Sequence, residues 1–496
     1  MMLAGLDIGT TGCKITVYDT DGKYLARVYR DYHLTRTTKE HEVNADKIWL
    51  AVRELLVQAA EQVPDIRGIG ITSFGETFVL LDEYDMPMRS SMLYTDPRGE
   101  AECLALCEAV GRKRLSDITG VNPHPMYSIA KLMWVKNNHP EMYGKVRRIC
   151  LMEDYIVYLL TGTAQIDYSL AARTMAFDIR TLDWSDEVFA AADVDKSLFS
   201  QTVPTGTSAG ILKRNIAEEL GLNPDTIIVS AGHDQVAAAV GSGVFDVGVA
   251  VDGAGTVECI TPVFEGIPNG GGLREGNYAI VPHVETGKYV CYAFSYTGGA
   301  LVQWFVENMA GYAATDAAQA GISIYGQLEG CTPRDEPTGL LVLPHFAGAA
   351  TPYMDYGSRG AIVGLTLNTT QNDVFYGIME GVCYEMLLNK RRLEQAGVTF
   401  QSMRATGGGA NSRVWMQMKA DVLGLPVTAL LTADAGGCGA AMMAGRAVGV
   451  YPDLRAAARK MVVERETYQP CGEMHEKYLQ VYHRYEKLYE AVRPLV

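Results

Sequence analysis

Several things are missing from this chain, and each absence closes a door. No stretch approaches the ~20 consecutive apolar residues that a membrane helix needs, so a spanning segment is not expected. The opening "MMLAGLDIGTT" has no basic start, no long apolar core and no small-residue cleavage site. It therefore does not read as a secretory signal, and a cytoplasmic protein is expected. The ten cysteines, scattered from Cys13 to Cys471, contain no CxxC pair and no metal-like Cys/His spacing, which predicts reduced thiols. Cys103 and Cys107 share a helix face but lack companion ligands, so they read as packing residues. Positive charge is in short supply too: 43 Lys and Arg face 58 Asp and Glu, a formal charge of −15. That balance excludes a broad nucleic-acid or anionic-membrane surface, and an anionic ligand would need a local device such as a nest of backbone N–H groups. A Walker-A loop and a dinucleotide fingerprint with its following acidic residue are both absent, which removes the P-loop and Rossmann readings.

What is present is a soluble composition, 48% hydrophobic and 20% charged over 496 residues, enough for two or three domains at roughly 150 residues each. The runs "LAGLDIGT", "KITVYDTDG" and "YLARVYRDYHL" alternate and are separated by Gly or Asp-Gly, as in a three-strand meander. In "NADKIWLAVRELLVQAAEQV", Ile48, Val52, Leu55, Leu56 and Ala59 share one helical face, with a cap near Asn44 to Asp46. The strand "IRGIGITS" follows. A weaker copy of this order begins at Val247: "VGVAVDGAGTVECITPV" as strand, turn and strand, then "YVCYAFSY", a helix over "NDVFYGIMEGVCYEMLLNKRRLEQAG", and the strand and loop "FQSMRATGGGANS". Two α/β halves of similar plan are predicted, 1–244 and 245–496, divided near "GSGVFDVG". Tyr478, Tyr482, Tyr485 and Tyr489 recur at helical spacing and predict a docked, half-buried helix face.

Three glycine clusters carry the chemistry. In "DIGTTG" small residues let the backbone approach an anion, hydroxyls add donors, and the preceding Asp7 reaches a metal ion; an ordinary hairpin turn explains the stretch equally well. The second turn, "DGAGTVE", with Gly255 and Thr256, opens the other half, so two Gly-Thr hairpins are placed to grip a polyphosphate from both sides. The third, "ATGGGANS", puts Gly407, Gly408 and Gly409 between a strand and a helix, where a nucleotide could lie against the backbone; a tight strand-to-helix turn is the alternative.

With these the chain resembles the FGGY carbohydrate kinases nearly end to end. The resemblance runs through "DIGTTGCKITVYD", "GITSFGET", "LYTDPRGEAE", "ITGVNPHPMYSIAKLMWVKNNHPEMYGKV", "DYIVYLLTGTAQIDYSLAARTMAFD", "AGHDQVAAAVGSG", "DGAGTVE", "LPHFAGAATPYMDYGSRGAIVGLTL", "IMEGVCYEM" and "GGGANSRVWMQMKADVLGLPV". It implies two actin-like, ribonuclease-H-like domains around a cleft, with the sugar-binding side and first phosphate hairpin in 1–244 and the nucleotide-binding side in 245–496. The Asp of "GHDQ", here Asp234, becomes the general base that takes a proton from the attacking sugar hydroxyl, with Gln235 orienting substrate and His233 supporting. An N-cap role for Asp234 before "QVAAAVGSG" is chemically reasonable as well. The resemblance places Asp7 beside Mg²⁺; Thr10, Thr11 and Lys14 along the phosphates of ATP; Gly255 and Thr256 at the second phosphate turn; and Gly408, Gly409 and Asn411 at the nucleotide turn. Lys14 reads equally as a solvated strand residue. Asp434 stands where the family often has Glu.

Acceptor contacts are expected from Glu76, Tyr94 and Asp96, with Arg98 following. Glycerol kinases share the Glu but precede it with Arg, which is Gly75 here; xylulose kinases carry Met-His, which this chain lacks; and Tyr94 replaces a familiar Trp. The resemblance thus implies an ATP- and Mg²⁺-dependent kinase for a small sugar or polyol, a ketopentose of the xylulose or ribulose type first. Glycerol, erythritol, a fuculose-like deoxyketose and gluconate stay open. A homodimer is the family's suggestion. A nucleotide switch or a sugar sensor without kinase activity is the rival, but neither a switch nor its phosphate hairpins need the acceptor-side residues.

Overall fold

The computed structural model describes residues 1–330, 334–432 and 434–496, and the chain forms two compact units. Unit 1 comprises Met1–Phe245, Ala279–Val290 and Asp434–Val462; unit 2 comprises Asp246–Tyr278, Cys291–Ala433 and Val463–Val496. The first crossing, between Phe245 and Asp246, lies beside the boundary expected at 244/245. A single cut does not describe the division, because residues 279–290 and 434–462 return to unit 1.

Unit 1 begins with β1 (Met2–Ile8), β2 (Gly12–Asp19), β3 (Tyr24–Asp31), α1 (Ala45–Gln62) and β4 (Ile66–Ser73), and later adds β5 (Thr207–Ile211), β6 (Ile227–His233) and α2 (Asp234–Gly241). These strands form one six-stranded sheet in the order β5-β6-β4-β1-β2-β3. β1 pairs antiparallel with β2 and parallel with β4, and β4 pairs parallel with β6. α1 starts at the predicted cap, where the Asn44 side chain accepts from Lys47 N. All five predicted face residues, Ile48, Val52, Leu55, Leu56 and Ala59, are buried in one core with Ala4, Leu6 and Ile8 of β1 and Cys13, Ile15 and Val17 of β2.

Unit 2 repeats the plan with β7 (Val249–Ala254), β8 (Glu258–Glu265), α3 (Gln371–Gln395), β9 (Ser402–Thr406), α4 (Arg413–Leu423) and β10 (Val427–Leu430). β7 pairs antiparallel with β8 and parallel with β9, and β9 pairs parallel with β10. The hairpin–parallel–parallel order is that of unit 1, and each hairpin holds one of the Gly-Thr turns.

The chain then enters α5 (Ala435–Ala447), which belongs to unit 1. Strand alternation explains why it is accepted there. On β1, Leu3, Gly5 and Asp7 face opposite to Ala4, Leu6 and Ile8, and Leu3 shares a second core with Ala440, Ala441, Met442 and Met443 of α5. A Cβ on Gly5 would collide with the Gly437 carbonyl, and one on Gly70 with that of Ala440. The helix is thus rich in Gly and Ala because it lies at near-backbone distance from the sheet and from α2, where Gly439 meets the Ala237 carbonyl. After β11 (Glu464–Tyr468) comes α6 (Gly472–Tyr485), whose Tyr478, Tyr482 and Tyr485 are buried as the spacing predicted, whereas Tyr489, expected on the same helix, is buried on a separate short helix at Leu488–Val492. Tyr485 Oη donates to Glu385 Oε2 of α3 at 2.5 Å. No helix among the described residues is long and apolar enough to cross a membrane.

Candidate active site

The face of the unit 1 sheet that receives α5 also collects charge. Asp7 lies directly across from Lys14 in the β1/β2 register, and Lys14 and Thr16 share a face of β2. Lys14 Nζ sits 2.9 Å from Asp7 Oδ2 and 3.0 Å from Asp434 Oδ1. Thr16 Oγ1 donates to Asp434 Oδ2 at 2.6 Å, and Asp434 caps α5 by accepting from Gly437 N at 3.2 Å. Lys14 is therefore no solvated strand residue. Burial alone would lower its ammonium, but the two carboxylates outweigh burial and raise it. Asp434, despite burial, is held below the ordinary range by Lys14 and Thr16, whereas burial dominates at Asp7 and raises it. The departure from Glu at 434 leaves a side chain that reaches Lys14. At the 9–12 turn, Gly9 N donates to Gly12 O at 2.9 Å, and Tyr32 Oη donates to Gly9 O.

β6 delivers the second group. His233, not Asp234, is the N-cap residue of α2, and Asp234 is the first helical residue. Its Oδ1 makes no hydrogen bond among the described residues and lies 3.4 Å from His233 Nδ1. Capping does not consume this carboxyl. Burial, followed by the like charges of Asp7 and Glu76, pushes it from the ordinary 3.8 up to about 7. His233 is held well below its ordinary value by burial and by Arg173, so it is neutral. The strand end is fixed from behind: His233 N donates to Ser169 Oγ at 2.9 Å, Ser169 Oγ donates to Asp167 Oδ1 at 2.5 Å, and Thr72 Oγ1 donates to Gly232 O at 2.7 Å. Gly232, with φ +90, has no room for a Cβ against Ser169 and Asp167.

Glu76 lies in the same region. It adopts φ 63, is buried, and receives Arg173 Nε on Oε1 at 2.7 Å with a second guanidinium N–H on the same oxygen. The Arg173 guanidinium also stands 5.2 Å from the Tyr127 ring centroid, and Ser128 Oγ donates to Glu76 O at 2.7 Å. This geometry accounts for Gly75. A Cβ there would lie 2.8 Å from Arg173 Cγ and 3.1 Å from His233 Cδ2. The stem of Arg173 passes over Gly75 and leaves no room for a side chain there. Nothing in the sequence pointed to Arg173 except its charge inside the apolar run "SLAARTMAFD".

Burial, then the Glu76 charge, raises the Tyr94 phenol, against which neighbouring Thr10 acts. Asp96, expected among the acceptor contacts, is used otherwise. Its carboxylate accepts Arg98 Nε at 2.8 Å, Arg98 Nη2 at 2.7 Å, Arg98 N at 3.0 Å and His41 N at 2.8 Å, and its side chain has 0% exposure. Asp96 shapes the loop, and buried Lys131 supports that loop by donating to Asp96 O at 2.5 Å. Asp7, Thr10, Lys14, Glu76, Tyr94 and Asp234 are thus gathered in unit 1. Gln235, next along α2, is half-buried, and Thr11 is exposed at the turn.

Unit 2 holds the other predicted residues. The carbonyl of Gly255 accepts from Gly299 N at 2.9 Å, and that of Thr256 from Gly298 N and Ala300 N, both at 3.0 Å. Gly407 and Gly409 are packed against Ala254: added Cβ atoms would come within 2.6 Å of its carbonyl oxygen and 3.0 Å of its methyl. Gly408 differs, since a Cβ there meets nothing within 4 Å, and one on Gly255 meets only Val257 O at 3.7 Å. Asn411 Oδ1 accepts from Arg465 Nη1 at 3.3 Å, and Ser412 caps α4 by accepting from Trp415 N at 3.0 Å.

Comparison with known proteins gives a consistent answer. The model of the FGGY family of carbohydrate kinases, N-terminal domain, matches residues 2–241, and that of the C-terminal domain matches residues 271–448. A xylulose kinase of Staphylococcus epidermidis is 25% identical over 506 residues, covering 100% of this chain and 97% of its own. A glycerol kinase of Halorhodospira halophila is 29% identical, covering 96% and 93%. Among solved structures, a ligand-bound xylulose kinase from Lactobacillus acidophilus aligns with TM-score 0.88 at 21% identity, over 99% of this chain and 98% of that one. The two domain models, and a fold shared along the whole chain, establish that the protein belongs to the FGGY family of carbohydrate kinases.

Proposed function

We propose that this kinase transfers the γ-phosphoryl group of ATP to a terminal hydroxyl of a small sugar, a ketopentose of the xylulose or ribulose type first, with Asp234 as general base. The observation that carries the reading is the placement of Asp234: an oxygen without a hydrogen bond at the start of a helix, on a side chain 35% exposed, with Asp7 and Glu76 as electrostatic neighbours that add to the effect of burial in raising its pKa. An alcohol is a poor nucleophile, and a carboxylate near neutrality is matched to the task of taking its proton as the oxygen attacks phosphorus. Glu76, steadied by Arg173, accepts a hydrogen bond from an acceptor hydroxyl, and Tyr94 and Gln235 border the same space. Thr10, Thr11 and Lys14 serve the phosphates, with Lys14 aimed by Asp434.

Asp7 is the residue that would hold Mg²⁺. The fit is chemical: Mg²⁺ is commonly bound by one or two carboxylates plus substrate phosphates, and Asp7 is a partly exposed carboxylate, 13% at the side chain, next to the 9–12 turn. When bound, the ion neutralises charge on the transferring phosphoryl group.

The ketopentose preference rests on the end-to-end xylulose kinase relative; the glycerol kinase relative keeps polyols in view. A coupled ADP-release screen over C3–C7 ketoses, polyols and aldonates decides. A ketopentose should lead in kcat/KM by roughly tenfold or more, since one missing carbon in a fitted site is worth ~1–3 kcal/mol. An aldonate or glycerol in first place overturns the substrate assignment and leaves the kinase chemistry untouched.

For the donor, Gly408 is the informative position. Its backbone does not need a left-handed φ, and a methyl there enters open space. Gly408→Ala should therefore leave thermal stability unchanged, within ~0.5 kcal/mol for a surface substitution, while raising KM for ATP several-fold by standing where the nucleotide meets the backbone. An unchanged KM removes the 407–412 turn from the nucleotide site.

A further inference from the structure

Unit 2 contains a second Asp–Lys–carboxylate group, and it is sealed from water. Lys419 of α4 places Nζ 2.7 Å from Asp252 Oδ2 of β7 and 2.5 Å from Glu258 Oε1 of β8, with side-chain exposures of 0%, 0% and 2%. Nζ also stands 5.0 Å from the Trp415 ring centroid. A wholly buried lysine is rare and costly to desolvate, and apolar residues of the same volume often serve stability as well or better. What such a group supplies that apolar packing does not is direction, because ammonium and carboxylates bind only in a narrow geometry.

The position of the three residues shows what is being directed. Asp252 and Glu258 flank the 253–257 turn on its two strands, and Lys419 sits on the helix that leaves the 407–412 turn. One ammonium thus ties the hairpin to the helix. The two turns are already at the limit of approach, with Gly407 and Gly409 packed on Ala254, so a small shift of α4 changes the gap between them. In unit 1 the corresponding hairpin strand carries Asp7, whose lysine partner remains 25% exposed. The group in unit 2 has no such access.

We infer that Lys419, Asp252 and Glu258 form a buried clamp that sets the spacing of the 253–257 and 407–412 turns, which makes Lys419 a positioning residue for nucleotide binding. The inference rests on the reading of those turns as the nucleotide grip. The burial of Glu258 and the neighbouring Asp252 charge raise its carboxyl well above the ordinary range. Lys419 Nζ is held by one carboxylate oxygen from each strand of the hairpin, Asp252 Oδ2 and Glu258 Oε1.

The test uses the full chain, with the magnesium complex of adenylyl imidodiphosphate as probe, measured by calorimetry, and amide hydrogen exchange as a readout independent of ligand. Lys419→Met should speed exchange at 253–257 and 407–412 while the amides of α1 in unit 1 keep their protection, and should weaken the probe by roughly tenfold or more. Because Lys419→Met leaves a buried carboxylate and is prone to misfold, the neutral trio Lys419→Met, Asp252→Leu, Glu258→Met is the second variant. It should recover the melting temperature without recovering affinity. Wild-type affinity in the folded trio, or unchanged exchange at both turns, overturns the clamp. Gly408→Ala separates this from failure of the underlying reading. If Gly408→Ala weakens the probe and the trio does not, the clamp alone is wrong; if neither does, the turns are not the nucleotide site.

Discussion

Asp234→Asn should abolish sugar-dependent ADP formation to within a small residue, a loss of ~10²–10⁴ in kcat, the range ascribed to a positioned general base. KM for the sugar and for ATP should move little, because the amide keeps the shape of the carboxyl and the helix start at residue 234. The pH dependence supplies the sharper check. The base works only as carboxylate, and its pKa is raised to about 7, so log kcat/KM should climb with pH below that value and level off above it. An unperturbed aspartate would put the limb near ~3.9. The causes of the shift are burial, then Asp7 and Glu76. Removing a like charge by Glu76→Gln must then lower the pKa of Asp234 and move the limb toward acid, even as sugar binding suffers. A flat profile between pH 5 and 8, or near-wild-type turnover by Asp234→Asn, would falsify the assignment.

The second large effect is on stability as well as on activity. Arg173 and Glu76 are 6% and 4% exposed, and removing one partner of a buried pair leaves an uncompensated charge at a cost of ~3–5 kcal/mol. Arg173→Met should lower the unfolding free energy by that amount in urea titration and raise KM for the sugar, since Glu76 loses the two N–H groups that fix its orientation. Arg173→Lys should recover only part of both, because an ammonium is a point charge without the planar fork. The pair Arg173→Met with Glu76→Leu separates the roles: stability should return toward wild type, and sugar affinity should not. Gly75→Ala acts on the same contact from below, pressing on the arginine stem and His233. If Arg173→Met unfolds within ~1 kcal/mol of wild type, the pair is not the buried ion pair described.

Local features could be read without coordinates because short-range rules govern them. The period of α1 and its Asn44 cap, the strand at Ile66–Ser73, the two Gly-Thr hairpins and the tyrosine face of α6 all follow from spacing and turn chemistry within a few residues. The order of these pieces, together with "GHDQ" and "GGGANS", was enough for the family and the phosphotransfer chemistry. Residues 75 and 434 showed up only as departures from a pattern.

Their meaning was decided by groups far apart in the chain. Gly75 is explained by Arg173, a residue 97 positions from Glu76, and Asp434 by Thr16, 418 positions away. Asp96 looked like a substrate ligand until the backbone of His41, 55 positions earlier, and the guanidinium of Arg98 proved to use its oxygens. Lys419 gave no sign in a helical run of unit 2, yet it is the buried partner of Asp252, 167 positions away. The physical reason is the same in each case. Propensity and periodicity act along the chain over a turn or two, whereas desolvation and charge pairing depend on which elements the fold stacks together, and residue spacing does not encode that.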